Sequence, residues 1–363
     1  MTLPVYEQLG DAISLRGGAA PVIKCREFYA LLEELFAPEE AELAAKMPLN
    51  PIAADRFAAE LGRDPEKVKE LLEGTANKAL VFSHVRGDVT LYSLMALLPG
   101  IFDMQFTKGE VNERAKRLAR LFEDYFNIRR DAAKGASLGP AFPFARVITV
   151  EQEIPARAEI HPYDQASQYI ANSEYIALAT CYCRHHGELL GRPCDKPKDV
   201  CMSLGLVARF IAERGLGRLI SKEEALKVLE RAEKAGLVHC SSNTGKYIDF
   251  ICNCCVCHCG ILQSVKNAAS PSMAASSSFI AIVDEEECIE CGDCIDRCPM
   301  DALTIQGDIA VRDANRCIGC GLCVSVCPTN ALRLEAREGA PVPPWDQRAL
   351  NAAIMDSIPK SPQ

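Results

Sequence analysis

CIECGDCIDRCPMDALTI spans Cys288 to Ile305, and CIGCGLCVSVCPTNALRL spans Cys317 to Leu334. The two stretches form a repeat, since nine of their eighteen positions are identical, including all four cysteines and the proline after the fourth. Each copy has the pattern C-x2-C-x2-C-x3-C-P. Three thiols at two-residue intervals can surround one corner of a cubane iron–sulfur cluster, while the fourth reaches another cluster. The repeat therefore predicts a segment wrapped around two clusters.

Each cluster is expected to take three cysteines from one copy of the repeat and one from the other. The first [4Fe-4S] cluster is predicted at Cys288, Cys291, Cys294 and Cys327, and the second at Cys317, Cys320, Cys323 and Cys298. A disulfide framework and a zinc site are the alternatives. Disulfides are rare in a reducing compartment, and zinc favours two C-x2-C pairs separated by a longer loop. Two cubane clusters are therefore the favoured interpretation.

With this ligand spacing, the segment from Phe279 to Glu335 resembles the bacterial two-[4Fe-4S] ferredoxin domain. All the cysteine positions of the repeat agree with the pattern of that family. The resemblance implies a domain that carries two clusters and transfers single electrons.

The first part of the chain has helical patterns followed by a short hairpin. Residues 1–50 carry apolar residues at helical spacing, Pro51–Gly62 predicts a short helix, and Asp64 is placed to cap the next one. Short strands are predicted at Leu80–His84 and Val89–Tyr92. This order of elements is the outline of a winged helix.

A winged helix is compatible with two functions, DNA binding or packing against another protein surface. On the second helix, Lys67 and Lys69 are balanced by Glu66, Glu70 and Glu73. A helix that reads DNA concentrates basic residues where the phosphates lie. The balanced charge therefore favours a packing or interaction module, since a fold does not by itself imply a function.

Two further stretches of the chain are rich in thiols. CYCRHHGELLGRPCDKPKDVC holds Cys181, Cys183, Cys194 and Cys201, and CNCCVCHC holds Cys252, Cys254, Cys255, Cys257 and Cys259. A plain apolar core can contain free cysteines, but these are interleaved with charged residues, which are rarely buried. Soft thiolates select iron–sulfur clusters, zinc or copper(I), and C-x-C spacing is unusual for structural zinc. We expect one or two additional iron–sulfur clusters, whose ligands can come from both stretches.

Arginines and histidines accompany these thiols. Arg184 and Arg192 either offset the negative charge of a thiolate-ligated cluster or form ordinary ion pairs with nearby aspartates. His185, His186 and His258 are candidates for ligands or proton donors. The favoured interpretation is that these are neutral histidines that make hydrogen bonds around a site.

All parts together resemble a group of ferredoxin-fused iron–sulfur proteins from anaerobes. The resemblance rests on C-x-C-R…G-x-P-C-D-x-P…C over Cys181–Cys201 and on I-C-N-C-C at Ile251–Cys255, and it extends from about Pro51 to Leu334. Members of the group continue the second motif with adjacent cysteines, whereas Val256 and His258 interrupt it here. The resemblance implies electron transfer.

The predicted fold class is α+β and multidomain. We expect a helix-rich, winged-helix-like region at 1–108 and a cysteine-rich middle domain at 109–266. A linker at 267–278, a ferredoxin-like two-cluster domain at 279–336 and a Pro-rich tail at 337–363 complete the prediction.

Composition limits the location and the partners of the protein. The chain has 363 residues and a net charge of −9. The N-terminus lacks signal-peptide features, and Pro99 and Gly100 interrupt the longest apolar run, so we expect a cytoplasmic protein without a membrane span. Low-potential clusters and many free thiols favour an anaerobic host. The acidic balance argues against nucleic acid and suits a redox partner protein or other oxidoreductase subunits.

These observations favour an iron–sulfur electron-transfer protein, or a subunit of an oxidoreductase, over an enzyme with its own substrate. One alternative is a reductase that uses the middle-domain cluster as its catalytic site, although no G-x-G-x-x-G fingerprint supports a nucleotide cofactor. The other alternative is a redox-sensing winged-helix regulator. The sequence identifies no catalytic residue.

Overall fold

The computed structural model of the protein describes residues 3–18, 22–133, 142–155 and 161–357. The helices are α1 (Pro4–Leu15), α2 (Arg26–Leu35), α3 (Pro38–Ala45), α4 (Ala54–Leu61), α5 (Pro65–Asn77), α6 (Phe102–Phe106), α7 (Glu113–Ala133), α8 (Ala166–Asn172), α9 (Tyr182–Leu189), α10 (Gly205–Glu213), α11 (Lys222–Lys234), α12 (Gly260–Lys266), α13 (Pro271–Ala274), α14 (Asp293–Arg297) and α15 (Gln347–Ser357). The strands are β1 (Ile52–Ala53), β2 (Val81–Arg86), β3 (Val89–Leu94), β4 (Ala145–Ile148), β5 (Ile176–Ala179), β6 (Cys201–Leu204), β7 (Arg218–Leu219), β8 (Val238–Ser242), β9 (Phe250–Cys254), β10 (Phe279–Val283), β11 (Leu303–Gln306), β12 (Ile309–Arg312) and β13 (Leu332–Ala336). The fold therefore mixes helix and sheet. Within the described ranges, no helix has the length and apolar character that crossing a bilayer requires.

Two compact units divide the chain, and each is built from separate segments. Unit 1 holds the described residues of Met1–Pro140, Thr180–Pro193 and Arg209–Arg218. Unit 2 holds those of Ala141–Ala179, Cys194–Ala208 and Leu219–Gln363. The repeat and the second thiol-rich stretch therefore belong to unit 2, whereas the first thiol-rich stretch is divided between the units.

Unit 1 contains two helices followed by a hairpin, in the region where the sequence predicts them. α4 and α5 precede β2 and β3, which pair antiparallel with Val81 opposite Leu94, and β1 pairs with β3. The Asp64 carboxylate accepts a hydrogen bond of 2.9 Å from the backbone N–H of Lys67 and so caps α5. The relation to a winged helix stays a prediction.

An aromatic core fixes α9 within unit 1. The Phe102 ring packs edge-to-face against Phe122 and His186, with centroids 4.9 and 5.4 Å away. Burial lowers the pKa of His186 to about 4, so the ring is neutral at physiological pH. Its Nε2 donates to the Ala119 carbonyl oxygen at 3.0 Å. The helix after Cys181 is therefore held by apolar packing and by one neutral histidine.

A sheet with the strand order β4-β8-β9-β6-β5-β7, in which the strands from β4 to β5 pair antiparallel, forms the centre of unit 2. Side chains alternate between the two faces along a strand. In β9, Ile251 packs into a core with α8 and α11, and we call this side the helix face. Cys252 and Cys254 pack into a different core, which they share with the repeat, and we call this side the repeat face.

The repeat folds around two pairs of antiparallel strands. β10 pairs with β13, with Phe279 opposite Ala336, and β11 pairs with β12. Because β10 precedes the first set of cysteines and β13 follows the second, their pairing closes the repeat on itself. The predicted linker contains the short helix α13, and the predicted tail contains α15, which buries Leu350 and Ile354.

Candidate metal centres

Two cavities in the repeat are lined by its cysteines. The outer cavity is lined by Cys288, Cys291, Cys294 and Cys327. The inner cavity is lined by Cys298, Cys317, Cys320 and Cys323. Each cavity thus receives three cysteines from one copy and one from the other. The names reflect exposure, because Cys291 of the outer cavity is exposed whereas three of the four inner cysteines are buried.

The linings of both cavities suit cubane clusters. The backbone N–H groups of Ala302 and Ala310 donate to the sulfurs of Cys298 and Cys288 at 3.3 and 3.4 Å. Such contacts stabilise the negative charge of a ligating thiolate and tune the cluster. Much of the remaining lining is aliphatic, such as Leu332 at the outer cavity. The donors and the apolar walls therefore fit two [4Fe-4S] clusters.

Gly319 lets the second cysteine loop approach the neighbouring backbone. Its φ is 69°, and a Cβ at this position would overlap the Phe279 carbonyl oxygen and the Ser277 hydroxyl. The Gly319 carbonyl accepts hydrogen bonds from Thr149 Oγ1 at 2.9 Å and from Ser277 Oγ at 2.7 Å. Glycine adopts this left-handed conformation readily and leaves the space free. The loop of the inner cavity is therefore anchored to the end of β4 and to the residues before β10.

Gly319→Ala is expected to destabilise unit 2 more than Gly307→Ala does. Both glycines have positive φ, so both substitutions carry the backbone penalty of about 1–2 kcal/mol. A Cβ on Gly307 meets nothing within 4 Å, whereas one on Gly319 meets backbone, which adds roughly 1–3 kcal/mol of overpacking. The difference is measured as the midpoint of denaturant unfolding, with the loss of cluster absorbance as the signal. Equal midpoints for the two variants would contradict this account of Gly319.

Two inner cysteines, Cys320 and Cys323, are thiols that keep their protons unless a cation binds. Burial raises the pKa of Cys320, and it raises the pKa of Cys323 well above its usual value. The negative charges of neighbouring cysteine thiolates, such as Cys298, act in the same direction. Iron must displace these protons when it binds. Its binding is therefore coupled both to the release of protons and to the folding of the cysteine loop that lines the inner cavity.

An acidic surface borders the outer cavity. Between Asp284 and Asp296 there is no lysine or arginine. Ile289 stands within this segment with 61% of its surface exposed. The acidic collar consists of the exposed residues Glu285, Glu286, Glu287, Glu290, Asp293 and Asp296. The segment that carries three cysteines of the exposed cavity is therefore negatively charged, and one exposed apolar side chain lies within it.

Four thiols meet on the repeat face of the central sheet, and we call them the sheet site. Cys240 in β8 lies opposite Cys252 in β9, and Cys254 follows on the same face. Cys259 stands directly before α12. Contacts of the Cys254 thiol with Cys240, Cys252 and Cys259, together with burial, raise its pKa well above the usual value. A soft cation would replace the shared protons of this group.

Sequence reasoning missed Cys240 as a candidate ligand. It is 1% exposed and lies outside both thiol-rich stretches. The signal in the sequence is weak, because Cys240 is a single cysteine shortly after Leu237 and Val238. A cysteine in such a place is ordinarily interpreted as a small buried hydrophobe. Only the strand register brings it to Cys252.

The inner cavity has cysteines of both other groups as neighbours. Burial has the largest effect in raising the pKa of Cys320, and the negative charge of Cys240 from the sheet site acts in the same direction. The charge of Cys294 from the outer cavity acts in the same way on Cys323. Cysteines of the sheet site and of both cavities also pack in one core. The three groups therefore adjoin within unit 2, with the inner cavity next to both others.

A second group of ligand atoms lies at the end of β9, and we call it the loop site. It contains Cys194, Cys255, Cys257 and His258, whose ligand atoms all lie within 4.8 Å of one another. Cys255 packs into the core of the helix face, and Cys194 packs against the same core. The loop site and the sheet site therefore use opposite faces of the same sheet. One ligand comes from the first thiol-rich stretch and three come from the second.

The other sequence-predicted residues lie elsewhere. Cys181 and Cys183 belong to unit 1, and Cys201 begins β6 in unit 2. Arg192 pairs with Glu123 at 3.0 Å. The His185 ring hydrogen bonds to protein atoms, as the favoured interpretation of that histidine requires, with the Glu110 carbonyl oxygen 2.9 Å from its Nε2. Like His186, it acts in unit 1 as a hydrogen-bonding histidine.

A family model described as a 4Fe-4S dicluster domain matches residues 281–334. The matched segment contains all the cysteines of both cavities. The chain therefore contains a ferredoxin-like iron–sulfur domain in its C-terminal part and is a metal-binding protein. Comparisons with curated proteins and with solved structures found no match.

Proposed function

We propose that this protein transfers electrons, alone or as a subunit of an oxidoreductase, with two [4Fe-4S] clusters in the repeat and a third in the sheet site. The adjacency of the outer cavity, the inner cavity and the sheet site within unit 2 carries the proposal. When bound, such clusters accept and release single electrons. The protein itself sets their separation, burial and surrounding charge.

The proposed ligand sets use the crossed pattern. The ligands are Cys288, Cys291, Cys294 and Cys327 in the outer cavity, Cys317, Cys320, Cys323 and Cys298 in the inner cavity, and Cys240, Cys252, Cys254 and Cys259 in the sheet site. Cys181, Cys183 and Cys201 have no role in this proposal. No specific contact in the described residues favours a reductase or a DNA-binding regulator.

The proposed partner is a redox protein with a basic docking patch. The residues of the acidic collar lie on both sides of Cys291 along the chain, and Cys291 is the most exposed cysteine of the cavities, so opposite charge on a partner would bring its own redox group near the outer cavity. The exposed Ile289 adds an apolar contact at the centre of this surface. A cytoplasmic location and an anaerobic host belong to the same proposal.

Reversing two charges of the collar should slow electron delivery to a basic acceptor. We expect Glu286→Lys combined with Glu290→Lys to lower the reoxidation rate of the chemically reduced chain by roughly tenfold at low ionic strength, because the collar steers the encounter. The acceptor is a basic haem protein, and stopped-flow absorbance gives the rate. The difference from the unmodified chain should shrink at high salt, where screening is strong.

The matched control reverses Glu66 and Glu70, which are exposed residues of α5 in unit 1. It changes the net charge by the same amount, so an equal slowing in both double variants would refute docking at the collar. A reduced wild-type chain that fails to pass electrons to the acceptor at any salt concentration would count against the electron-transfer function itself.

A further inference from the structure

The loop site is more compact than the cavities of the repeat. Its three sulfurs and one ring nitrogen all lie within 4.8 Å of one another, and the sulfurs of Cys194 and Cys257 are 3.5 Å apart. Among the residues that the structure describes, no other set of three or more Cys, His, Asp or Glu side chains meets this limit. The cysteines of the two cavities, and the four thiols of the sheet site taken as a set, are therefore more widely spaced than the ligand atoms of the loop site.

This spacing discriminates between one metal ion and a cluster. In a tetrahedron with metal–sulfur bonds of about 2.3 Å, two sulfurs stand about 3.8 Å apart. The cysteines of a cubane bind different irons and must stand farther apart. The separation of Cys194 from Cys257 is therefore suited to ligands that share a single ion.

We propose that Cys194, Cys255, Cys257 and His258 bind one zinc ion in a closed, tetrahedral site. Three thiolates and one imidazole are a common donor set for structural zinc, which has no redox chemistry of its own. The C-x-C spacing of Cys255 and Cys257 is unusual for zinc, but the fourth ligand comes from a distant segment, and the fold brings it into place. This inference does not depend on the proposed electron transfer.

The zinc ion would support the sheet site from the opposite face. The ligands Cys255, Cys257 and His258 lie in the loop between Cys254 and Cys259, which are both thiols of the sheet site. The ion ties this loop to the segment before β6 through Cys194. It therefore fixes the length and path of the connection that presents Cys259 to Cys254.

Metal analysis and zinc-edge X-ray absorption of the anaerobically purified full chain test the inference. We expect about one zinc per chain, with three sulfurs at about 2.3 Å and one nitrogen at about 2.0 Å. His258→Gln should remove the nitrogen shell or the zinc, and Cys257→Ala should remove the zinc. Cys25→Ala is the control, because Cys25 lies in unit 1 and is expected to leave the zinc in place.

The iron content keeps the outcomes distinct, because it reports the clusters and the integrity of the fold. Loss of zinc from both variants with the iron of the repeat retained would support the zinc site. A chain with full iron content but no zinc would overturn it, as would a Cys257→Ala variant that keeps its zinc. An unmodified chain without zinc whose Cys257→Ala variant loses about four irons would instead assign this group to a cluster and overturn the zinc site.

Discussion

Cys240→Ala is expected to lower the iron content of the anaerobically purified chain from about twelve to about eight atoms, since each [4Fe-4S] cluster contains four. Cys240 is the thiol of β8 that faces Cys252, and it contacts the central Cys254. Alanine keeps the small apolar volume in this core but supplies no ligand. A cubane that loses one of its four thiolates in a buried site has no water-accessible replacement. Iron and sulfide analysis of the purified variant measures the loss.

A remote variant and the spectrum of the repeat clusters provide controls for this experiment. Cys25→Ala also removes one thiol, but in unit 1, so it should leave the iron content unchanged. Cys240→Ala should retain the spectrum of reduced ferredoxin-type clusters, because the cavities of the repeat keep all their cysteines. An unchanged iron content in Cys240→Ala would eliminate the sheet site as the third cluster. A fall to zero would show that the sites assemble only together.

The repeat could be analysed from the sequence because its chemistry is local. Within one copy, spacings of two and three residues determine which sulfurs can reach the same cubane, so little tertiary information is needed. The crossed ligand, Cys298 or Cys327, needs only the assumption that the two copies lie side by side. The family match to residues 281–334 confirms the ferredoxin-like iron–sulfur domain.

The middle region could not be predicted to the same depth because strand register decides its geometry. Cys240 and Cys252 are neighbours only because β8 and β9 pair in one register, and a shift by one residue would turn the thiol of Cys240 to the helix face. The same alternation separates Cys254 from Cys255, which are adjacent in the chain but belong to different sites. The density of cysteines along the sequence predicts one or two sites, but not which thiols belong to each.

The first thiol-rich stretch shows the other limit of the sequence argument. Its four cysteines look like one motif, yet Cys181 and Cys183 fold with unit 1 while Cys194 and Cys201 fold with unit 2. The sequence leaves His258 as either a ligand or a hydrogen-bonding histidine, and a ring nitrogen of this residue lies within 4.8 Å of the sulfurs of the loop site. Proximity along the chain does not reveal where the chain passes from one unit to the other. It also does not reveal which side chains of a ligand-rich loop come together at one site.

The crossed ligation of the two cavities makes the second strong prediction. Cys298 belongs to the first copy of the repeat but lines the inner cavity, whereas Cys294, also of the first copy, lines the outer cavity. We therefore expect Cys298→Ala to lose the same cluster as Cys323→Ala. Likewise, Cys327→Ala should lose the same cluster as Cys294→Ala. Each variant should lose about four irons and keep the other cluster of the repeat.

Electron paramagnetic resonance of the reduced variants distinguishes the pairs. Neighbouring reduced clusters couple magnetically, so loss of either cluster of the repeat should change the spectrum, and the clusters that remain in the repeat and in the sheet site give each variant a spectrum of its own. Crossed ligation requires the Cys298→Ala spectrum to match that of Cys323→Ala. Uncrossed ligation instead requires it to match that of Cys294→Ala, because both cysteines would then hold one cluster. The buried inner cavity and the exposed outer cavity give their clusters different surroundings, so the two outcomes cannot produce the same spectra.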